Sequence, residues 1–389
     1  EDLIRCDAKK RANYARITDS KGKTHEQWIN PPLNMDRPGK TSVFQPMAPG
    51  FADAAELKPV ALPKEQFRNF FLTVKTTKDT PAGVYRGEIK LVKGQKTVDG
   101  RLEALGSIPV EIHVADYELP HPKGFKEPER DFLVSMYHHF TFRQIASLNG
   151  GDLELAIRQN AAMLRDMAKH GQTMYYPGCP YPDPEFYKTL DLVVESGLRP
   201  DVFMGVLVPW TKPEDFAALP KRLAAELDRR YGHHNLYTIY GDEPTLGGWL
   251  EKELVETMEA WQACGLKFAL AGEDCVFRKV GFGHDWGVLA IDPTIPNAPL
   301  KEKWAKQPGA RFAWYANQHV GPENPALNRR QNGLAPWLNG YNSLCNYAHH
   351  LGPYNDNACV LYRPMVYAYG THDGVLDTIQ WEGFREGID

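Results

Sequence analysis

Cysteine is scarce and scattered in this sequence. Six cysteines are spread over 389 residues, and no two of them form a CxxC pair. A small secreted domain held together by disulfides needs a far higher density of cysteine, so that class of scaffold is excluded. Most of the cysteines are expected to be buried thiols, and they leave the redox compartment open.

Long apolar runs and basic runs are missing as well. No stretch of about 18 apolar residues occurs, which is the length a membrane-spanning helix requires. The formal net charge is -4, and the absence of basic clusters gives no electrostatic footprint for nucleic acid or an anionic membrane. The sequence opens at Glu1 without a recognisable signal peptide, which has been removed or was never there, and we expect a secreted or periplasmic bacterial protein.

Several chemistry-bearing motifs are also absent. The sequence has no GxGxxG dinucleotide turn, no GxSxG nucleophile elbow, no GxxxxGK[ST] phosphate loop and no HExxH zinc motif. Histidine pairs begin at His138, His233 and His349, but neighbours in a strand point to opposite faces and cannot chelate one ion together. We therefore expect no metal or cofactor. His139 and His349 are candidates for hydrogen bonds to a bound substrate.

Aromatic residues, by contrast, are plentiful. The chain has 9 Trp and 18 Tyr, and many of them follow predicted strand ends. Aromatic rings stack on sugar rings, but large barrels also bury many aromatic side chains in their cores. Both interpretations stay open on composition alone.

The first 125 residues show the alternation of β-strands. Apolar side chains recur at every second position in 70–75 and 108–114, residues 84–92 form a further predicted strand, and turn residues lie between these segments. A β-sandwich domain over 1–125 is the simplest prediction. The proline-rich segment from Leu119 to Pro128 predicts a stiff linker, which places the domain boundary there.

Residues 126–389 change to a repeat of strand and helix. Asp152 is predicted to cap a helix that closes at Gly171, and further helices are predicted over 184–197, from Pro220 and over 325–340. The predicted strands are continuous apolar runs, as in a parallel sheet that is covered on both faces. Eight repeats predict a (β/α)₈ barrel of the TIM type. The eight strands are predicted at 131–136, 173–176, 202–208, 237–243, 267–271, 286–291, 311–316 and 343–347.

The fourth of these strands ends on two adjacent acids, Asp242 and Glu243. Barrel enzymes keep their chemistry at the carboxyl ends of the strands. Two carboxylates in one pocket repel each other, so one of them tends to hold a proton near neutral pH and can act as a general acid. The alternative is structural, because an acid at this point can also cap the following helix.

Four stretches resemble glycoside hydrolase family 123, the β-N-acetylgalactosaminidases. They are Asp242-Glu-Pro244, Thr80-Pro-Ala-Gly-Val-Tyr-Arg-Gly87, Trp314-Tyr315 and Trp381-Glu-Gly-Phe-Arg-Glu-Gly-Ile-Asp389. They occur in the order of that family and on its layout of a β domain followed by a barrel. The last stretch is expected to begin a final helix that continues past Asp389.

The resemblance implies substrate-assisted retaining hydrolysis. The oxygen of the substrate's own 2-acetamido group attacks the anomeric carbon and forms an oxazolinium ion. Asp242 then orients the acetamido group and stabilises its positive charge, while Glu243 protonates the leaving oxygen and later deprotonates water. Tyr315 is the candidate for a hydrogen bond to the acetamido group, and Trp314 and Tyr347 are candidates for stacking.

Other residues near predicted strand ends complete the candidate binding set. They are Tyr240, Trp210, Glu273 and His319. The seventh and eighth strands end without an acid, which favours the substrate-assisted route over a direct nucleophile. Two alternatives remain: a glycosidase for another sugar that pairs Glu243 with Asp292 or Glu273, or a carbohydrate-binding barrel without turnover.

Overall fold

The structure is a computed structural model. The described residues are 3–7, 12–18, 24–28, 59, 61, 63–65, 70, 72, 74–96, 101–118, 132–138, 141–148, 151–176, 181–206, 218–239, 256–257, 259–272, 286–289, 311–315, 325–350, 367–370 and 375–389.

The chain divides into two compact units. One comprises Glu1–Ala52 together with His121–Asp389, and the other comprises Asp53–Pro120. The predicted boundary near residue 125 lies close to the second end of the smaller unit. The predicted packing of 1–125 as one β-sandwich domain stays a prediction.

Antiparallel pairing dominates the described strands of the first 125 residues. Strands β1 (Leu3–Asp7), β2 (Ala12–Thr18) and β3 (Thr24–Trp28) form a meander in the larger unit. In the smaller unit, β4 (Gly83–Lys96) and β5 (Leu102–Val114) form a long hairpin. The all-β character expected from the alternation is confirmed for these five strands.

The strand predicted over 70–75 is wrong at the described positions. Residues 70, 72, 74 and 75 carry no strand pairing, although their side chains alternate as a strand would. Phe70, Leu72 and Val74 are each more than half exposed. Alternation describes which side chains share a face, but a strand also needs a partner for its backbone N–H and C=O groups.

Eight parallel strands form the central sheet of the larger unit. Their pairs are all parallel, so every strand has its carboxyl end at the same edge of the sheet. The strands are β6 (Leu133–His138), β7 (Met174–Tyr176), β8 (Phe203–Val206), β9 (Leu236–Ile239), β10 (Lys267–Gly272), β11 (Trp286–Leu289), β12 (Arg311–Tyr315) and β13 (Ser343–His350).

The order of these strands follows the sequence around the sheet. It is β7-β6-β13-β12-β11-β10-β9-β8, so that β13 returns to pair with β6. The strands at the two ends of this order, β7 and β8, contact each other without being hydrogen-bonded neighbours among the described residues. The predicted α/β fold with eight parallel strands is therefore confirmed.

Amphipathic helices follow the first strands, and their ends agree with the caps expected from the sequence. The Asp152 side chain accepts a hydrogen bond of 2.9 Å from Leu155 N and so begins α2, as predicted. The sequence did not predict α1. The described helices up to residue 231 are α1 (Phe142–Leu148), α2 (Leu153–Lys169), α3 (Glu185–Ser196) and α4 (Ala218–Tyr231).

The helix predicted over 325–340 contains a π-helical turn. It consists of α5 (Pro325–Arg329), the π-turn Arg330–Leu334 and α6 (Ala335–Leu338). After the antiparallel pair β14 (Ala368–Gly370) and β15 (Val375–Asp377), the last helix α7 spans Ile379–Ile388. A final helix was predicted here, and the side chain of Thr378 caps its start.

Glycines let α7 lie against the backbone of α5 and the π-turn. A Cβ atom placed on Gly383 would lie 2.5 Å from the carbonyl oxygen of Pro325, and one on Gly387 would lie 2.7 Å from that of Arg329. A Cβ on Gly333 of the π-turn would overlap the backbone of Gly387. Only glycine permits such close contact between backbones, which accounts for two glycines of the closing sequence motif.

Apolar side chains from the helices and the sheet form one continuous core. Leu164 of α2, Phe186 of α3 and Leu223 of α4 are fully buried against strand residues such as Val134. Burial of each such side chain stabilises the fold by about 1.5–3 kcal/mol. This core fixes the helices against the sheet.

Candidate active site and a buried polar cluster

The predicted acids follow the carboxyl end of an inner strand. Strand β9 pairs with β8 on one side and with β10 on the other, and it ends at Ile239. Asp242 and Glu243 come three and four residues later, and Tyr240 comes directly after the strand. These three residues lie outside the described part of the chain, so their side-chain geometry stays a prediction.

Strand β9 itself is firmly anchored. The Thr238 hydroxyl donates a 2.9 Å hydrogen bond to the carbonyl of Lys267. Tyr237 is 1% exposed, and the ammonium group of Lys267 lies 4.9 Å from the centre of its ring. Contacts to the neighbouring strand therefore fix the segment that leads to the two acids.

The other predicted site positions follow the same edge of the sheet. Glu273 comes directly after β10, Tyr315 is the last residue of β12, and Tyr347 lies within β13. Of the rest, His139 comes directly after β6, Asp292 lies three residues beyond β11, and Trp210 and His319 lie four residues beyond β8 and β12. The structure describes the backbone of Tyr315 and Tyr347, and the other five positions lie outside its described residues.

Trp314 is part of the core. It is 2% exposed, and its ring meets that of Tyr341 edge-on at 6.2 Å. In the parallel register it pairs with Leu344, which is also buried, and neighbours in register share one face of a sheet. Its indole N–H has no hydrogen-bond partner among the described residues. The predicted stacking of Trp314 on a sugar stays a prediction, and the described contacts are packing contacts.

His349 is fully buried and contacts two helices. Its Nε2 atom lies 3.4 Å from Oδ2 of Asp166 on α2. Its ring meets that of Trp381 on α7 edge-on at 5.3 Å. The structure thus places this predicted sugar-binding residue where β13, α2 and α7 pack together.

His349 belongs to a larger group of polar side chains, which we call the Asp166 cluster. Asp166 accepts a 2.9 Å hydrogen bond from the indole N–H of Trp381 and lies 3.2 Å from Nδ1 of His170. The rings of His170 and Trp381 are stacked at 4.6 Å. The members of the cluster are Asp166, His170, His349, Asp377, Trp381 and Glu382.

Charge pairing dominates the ionisation of this cluster. Burial alone lowers the pKa of His170, but the nearby carboxylates of Asp166 and Glu382 outweigh it and raise this pKa to about 10. Burial alone raises the pKa of Asp166, whereas hydrogen bonds from His170 and His349 hold it well below its usual range. At neutral pH the pair is an imidazolium and a carboxylate, and each compensates the burial of the other.

Asp377 lies at the rim of the cluster, and its pKa is raised, whereas that of Asp166 is lowered. The residue is exposed, but its carboxyl group offers an oxygen within 4.8 Å of ligand atoms of Asp166 and His170. Partial burial, followed by the negative charge of Asp166, raises the pKa of Asp377 to about 7. Asp377 thus holds a proton that an isolated aspartate would have lost.

Asp166, His170 and Asp377 are spaced closely enough to hold a metal ion. A metal ligand must be a neutral imidazole, however, and this imidazole is kept protonated by Asp166 and Glu382. Asp166 already accepts from Trp381 and contacts both histidines. These observations fit an ion-pair network better than a metal-ligand set.

Sequence reasoning missed the Asp166 cluster. A signal was present, because Asp166 and His170 are four residues apart on a predicted helix and therefore share a face. Trp381 and Glu382 were noted only as part of a closing motif. Nothing in the sequence indicates that the pair Asp166 and His170 contacts the pair Trp381 and Glu382. Asp166 and Trp381 are 215 positions apart along the chain.

Comparisons with known proteins give only distant likeness. No protein-family model matches the sequence, and the search of curated proteins finds no match. Among solved structures, a family 39 glycoside hydrolase from Bacteroides cellulosilyticus is 10% identical, with a TM-score of 0.41, over 79% of this chain and 70% of that one. A β-glucuronidase from Ruminococcus gnavus is also 10% identical, with a TM-score of 0.41.

The second of these matches covers 77% of this chain, which spans only 55% of the glucuronidase. A sugar phosphate isomerase/epimerase from Parabacteroides distasonis is 9% identical, with a TM-score of 0.32, over 55% of this chain and 88% of that one. Likeness at this level assigns neither an activity nor a substrate. Any functional conclusion therefore depends on the chain's own residues.

Proposed function

We propose that this protein is a retaining glycoside hydrolase that cleaves β-linked 2-acetamido sugars by substrate-assisted catalysis. One observation carries the proposal: Asp242 and Glu243 come three and four residues after the end of β9, an inner strand of a sheet whose strands are all parallel. The circular strand order and the contact between β7 and β8 support a closed barrel as part of the same proposal. In a barrel this edge is the mouth where substrates bind.

The two acids have different roles in this proposal. Asp242 orients the acetamido group and stabilises the positive charge that develops as its oxygen attacks the anomeric carbon. Glu243 gives its proton to the leaving oxygen, and as a carboxylate it then takes a proton from the water that opens the oxazolinium ring. Tyr315, at the end of β12, is the proposed donor to the acetamido group.

The resemblance of the four sequence motifs favours N-acetylgalactosamine as the sugar. Tyr347, Trp210, Tyr240 and the histidines at the same edge are the proposed contacts to the sugar and its aglycone. A secreted or periplasmic location is part of the proposal, since glycans are met there. Within the part of the chain that the structure describes, no helix is long and apolar enough to cross a membrane.

A second candidate function rests on Glu273. This acid directly follows β10, the strand paired with β9, and neighbouring strands are only about 4.8 Å apart. Retaining enzymes that use a carboxylate nucleophile hold their two carboxyl groups about 5–5.5 Å apart. Glu243 as acid with Glu273 as nucleophile would then hydrolyse a sugar without an acetamido group. Asp292, one strand further along, is the more distant alternative.

Three aryl glycosides separate the two candidates. The substrates are the 4-nitrophenyl β-glycosides of N-acetylgalactosamine, N-acetylglucosamine and galactose, tested with wild-type protein and with Glu243→Gln as the matched control. The proposal predicts release of nitrophenol only from an acetamido sugar, and inhibition by a thiazoline analogue of the oxazoline. Hydrolysis of the plain galactoside at an equal rate would instead favour Glu273. Cleavage of none, together with binding of an acetamido sugar, would indicate a binding barrel.

A further inference from the structure

Strand β13 is irregular at its carboxyl end. Its register with β6 runs without interruption from Ser343 to Asn346 and then shifts, so that His350 pairs with His138. Such a bulge bends the strand and re-aims its side chains, and bulges are common beside active sites. Tyr347, a proposed sugar contact, lies within this irregular segment.

Buried side chains hold Asn346, the last residue before the register shift. The amide of Asn346 donates a 2.7 Å hydrogen bond to the hydroxyl of Tyr367 and a 3.3 Å bond to Asn332 in the π-turn. The Tyr367 hydroxyl in turn donates a 3.0 Å hydrogen bond to the side-chain oxygen of Asn328 in α5. These polar groups are fully or almost fully buried, where an unmade hydrogen bond costs about 1–3 kcal/mol.

The Asp166 cluster holds His349, which lies inside the irregular segment. His349 contacts Asp166 through Nε2, and its backbone carbonyl accepts a 2.9 Å hydrogen bond from Tyr367 N. Trp381 donates to the same carboxylate oxygen of Asp166 and contacts the His349 ring. Two helices that are far apart in sequence thus fix one residue of β13, two positions after Tyr347.

We infer that His349 is a positioning residue: held by Asp166 and Trp381, it fixes the bulged end of β13 and thereby the place of Tyr347 at the sugar-binding edge. The inference rests on the proposed function and changes the role predicted for His349 from a direct sugar contact to support of one. A displacement of about 1 Å at a binding residue can cost on the order of 100-fold in rate, which makes such support functional.

A structural role alone would not need this arrangement. A regular, apolar β13 would pack equally well against α2 and α7, and burying an ion pair seldom stabilises a fold beyond well-packed apolar residues. The polar contacts instead converge on the two residues that flank Tyr347 in the bulge, Asn346 and His349. The hydrogen bonds of Asn346 and His349 hold the backbone of the bulge in one conformation.

The test uses the full chain and two variants of His349. Gln places an amide N–H near the position of Nε2 and can still donate to Asp166, whereas Ala removes the contact. His234→Ala is the matched control, since His234 forms a 2.8 Å pair with Asp228 before the amino end of β9. Each protein is measured by amide hydrogen exchange across 344–350 and by kcat and KM for the aryl 2-acetamido glycoside.

The expected result is selective. His349→Ala raises KM about 10- to 100-fold with a smaller change in kcat, and it speeds amide exchange at 346–350 more than elsewhere in the sheet. His349→Gln restores most of both properties, and His234→Ala leaves both unchanged. Asp166→Asn, which keeps the size of the side chain, is the second variant should His349→Ala fold poorly, and it is expected to raise KM as well.

Two results would overturn the inference. One is unchanged exchange at 346–350 in His349→Ala, and the other is faster exchange with an unchanged KM, which makes the residue structural only. If the wild-type chain hydrolyses no glycoside, the proposed function fails separately. Exchange then still decides whether His349 fixes β13, and binding of the thiazoline, measured by calorimetry, replaces KM.

Discussion

The carboxyl edge of the sheet and the Asp166 cluster are two polar regions built in opposite ways. At the edge, two acids adjacent in sequence follow one strand, and the rest of the fold only has to present them. In the cluster, residues from α2, β13 and α7 meet although Asp166 and His349 are 183 positions apart. The first region can be recognised in a sequence, and the second exists only in the folded chain.

The two regions also differ in whether their ionisable groups change protonation. In the proposed function Glu243 gives and then takes a proton during the reaction, so its pKa must lie close to the working pH. The cluster holds His170 charged over the whole neutral range, because its pKa is raised to about 10. We therefore expect substitutions at the edge to lower activity at constant stability, and substitutions in the cluster to lower stability first.

The largest expected effect is that of Glu243→Gln. Loss of the general acid lowers kcat for a 4-nitrophenyl glycoside by about 10²-fold or more, with an unchanged melting temperature. The 2,4-dinitrophenyl glycoside has a better leaving group that needs no protonation, so the first step on this substrate is spared. The two substrates are compared by kcat/KM, which reports this first step, and an equal loss of kcat/KM on both would show that Glu243 is not the general acid. Asp242→Asn, the paired variant, is expected to slow both.

The next effect is expected from Asp166→Ala in the cluster, and it is an effect on stability. It leaves the buried imidazolium of His170 without its partner carboxylate and is expected to lower the free energy of unfolding by about 3–5 kcal/mol. Asp228→Ala, which removes the exposed partner of His234, is the control and is expected to cost less than about 1 kcal/mol. Urea unfolding measures both. Equal effects of the two changes would mean that burial does not strengthen the Asp166 pair.

A smaller effect is expected from Gly383→Ala in α7. The added methyl group meets the backbone of Pro325 and forces the two helices apart, which costs about 1–3 kcal/mol. Gly106→Ala in β5 is the control, because a Cβ there meets nothing within 4 Å. Thermal unfolding of both variants measures the difference. A neutral Gly383→Ala would indicate that α7 packs less closely than the structure shows.

The smallest effect is expected from Asp377→Asn, and it depends on pH. The pKa of Asp377 is about 7 in the folded chain against 3.8 for a free side chain. The folded state therefore binds this proton more tightly, and stability from this group falls as the pH rises from about 4 to about 7. The variant should gain stability relative to wild type as the pH rises from about 4 to about 7. A constant difference across that range would contradict the shift.

Much of the fold could be predicted because its signals are local. Continuous apolar runs located the eight parallel strands, and Asp152 marked the start of α2 through a contact with a residue only three positions away. The strand predicted at 70–75 failed because pairing is not a local property. The π-turn at 330–334 was missed for a similar reason, since it forms where Gly333 meets the backbone of α7.

The candidate site shows the same distinction between local and non-local signals. Asp242 and Glu243 could be proposed from their place after one strand, and the parallel sheet agrees with that place. Trp314 and His349 were selected by residue type near strand ends, and the structure shows both as buried and in contact with other side chains. Which face of a strand a residue occupies depends on register and bulges, and these are set by neighbouring strands.

The central claim is that the substrate's own acetamido oxygen is the nucleophile. It is tested most directly by aryl glycosides whose N-acetyl group carries none, one, two or three fluorine atoms. Fluorine withdraws electrons from the carbonyl oxygen, so the account predicts a steep fall in kcat/KM with each substitution. Equal kcat/KM values across the series would show that the acetamido group takes no part, and would contradict the account.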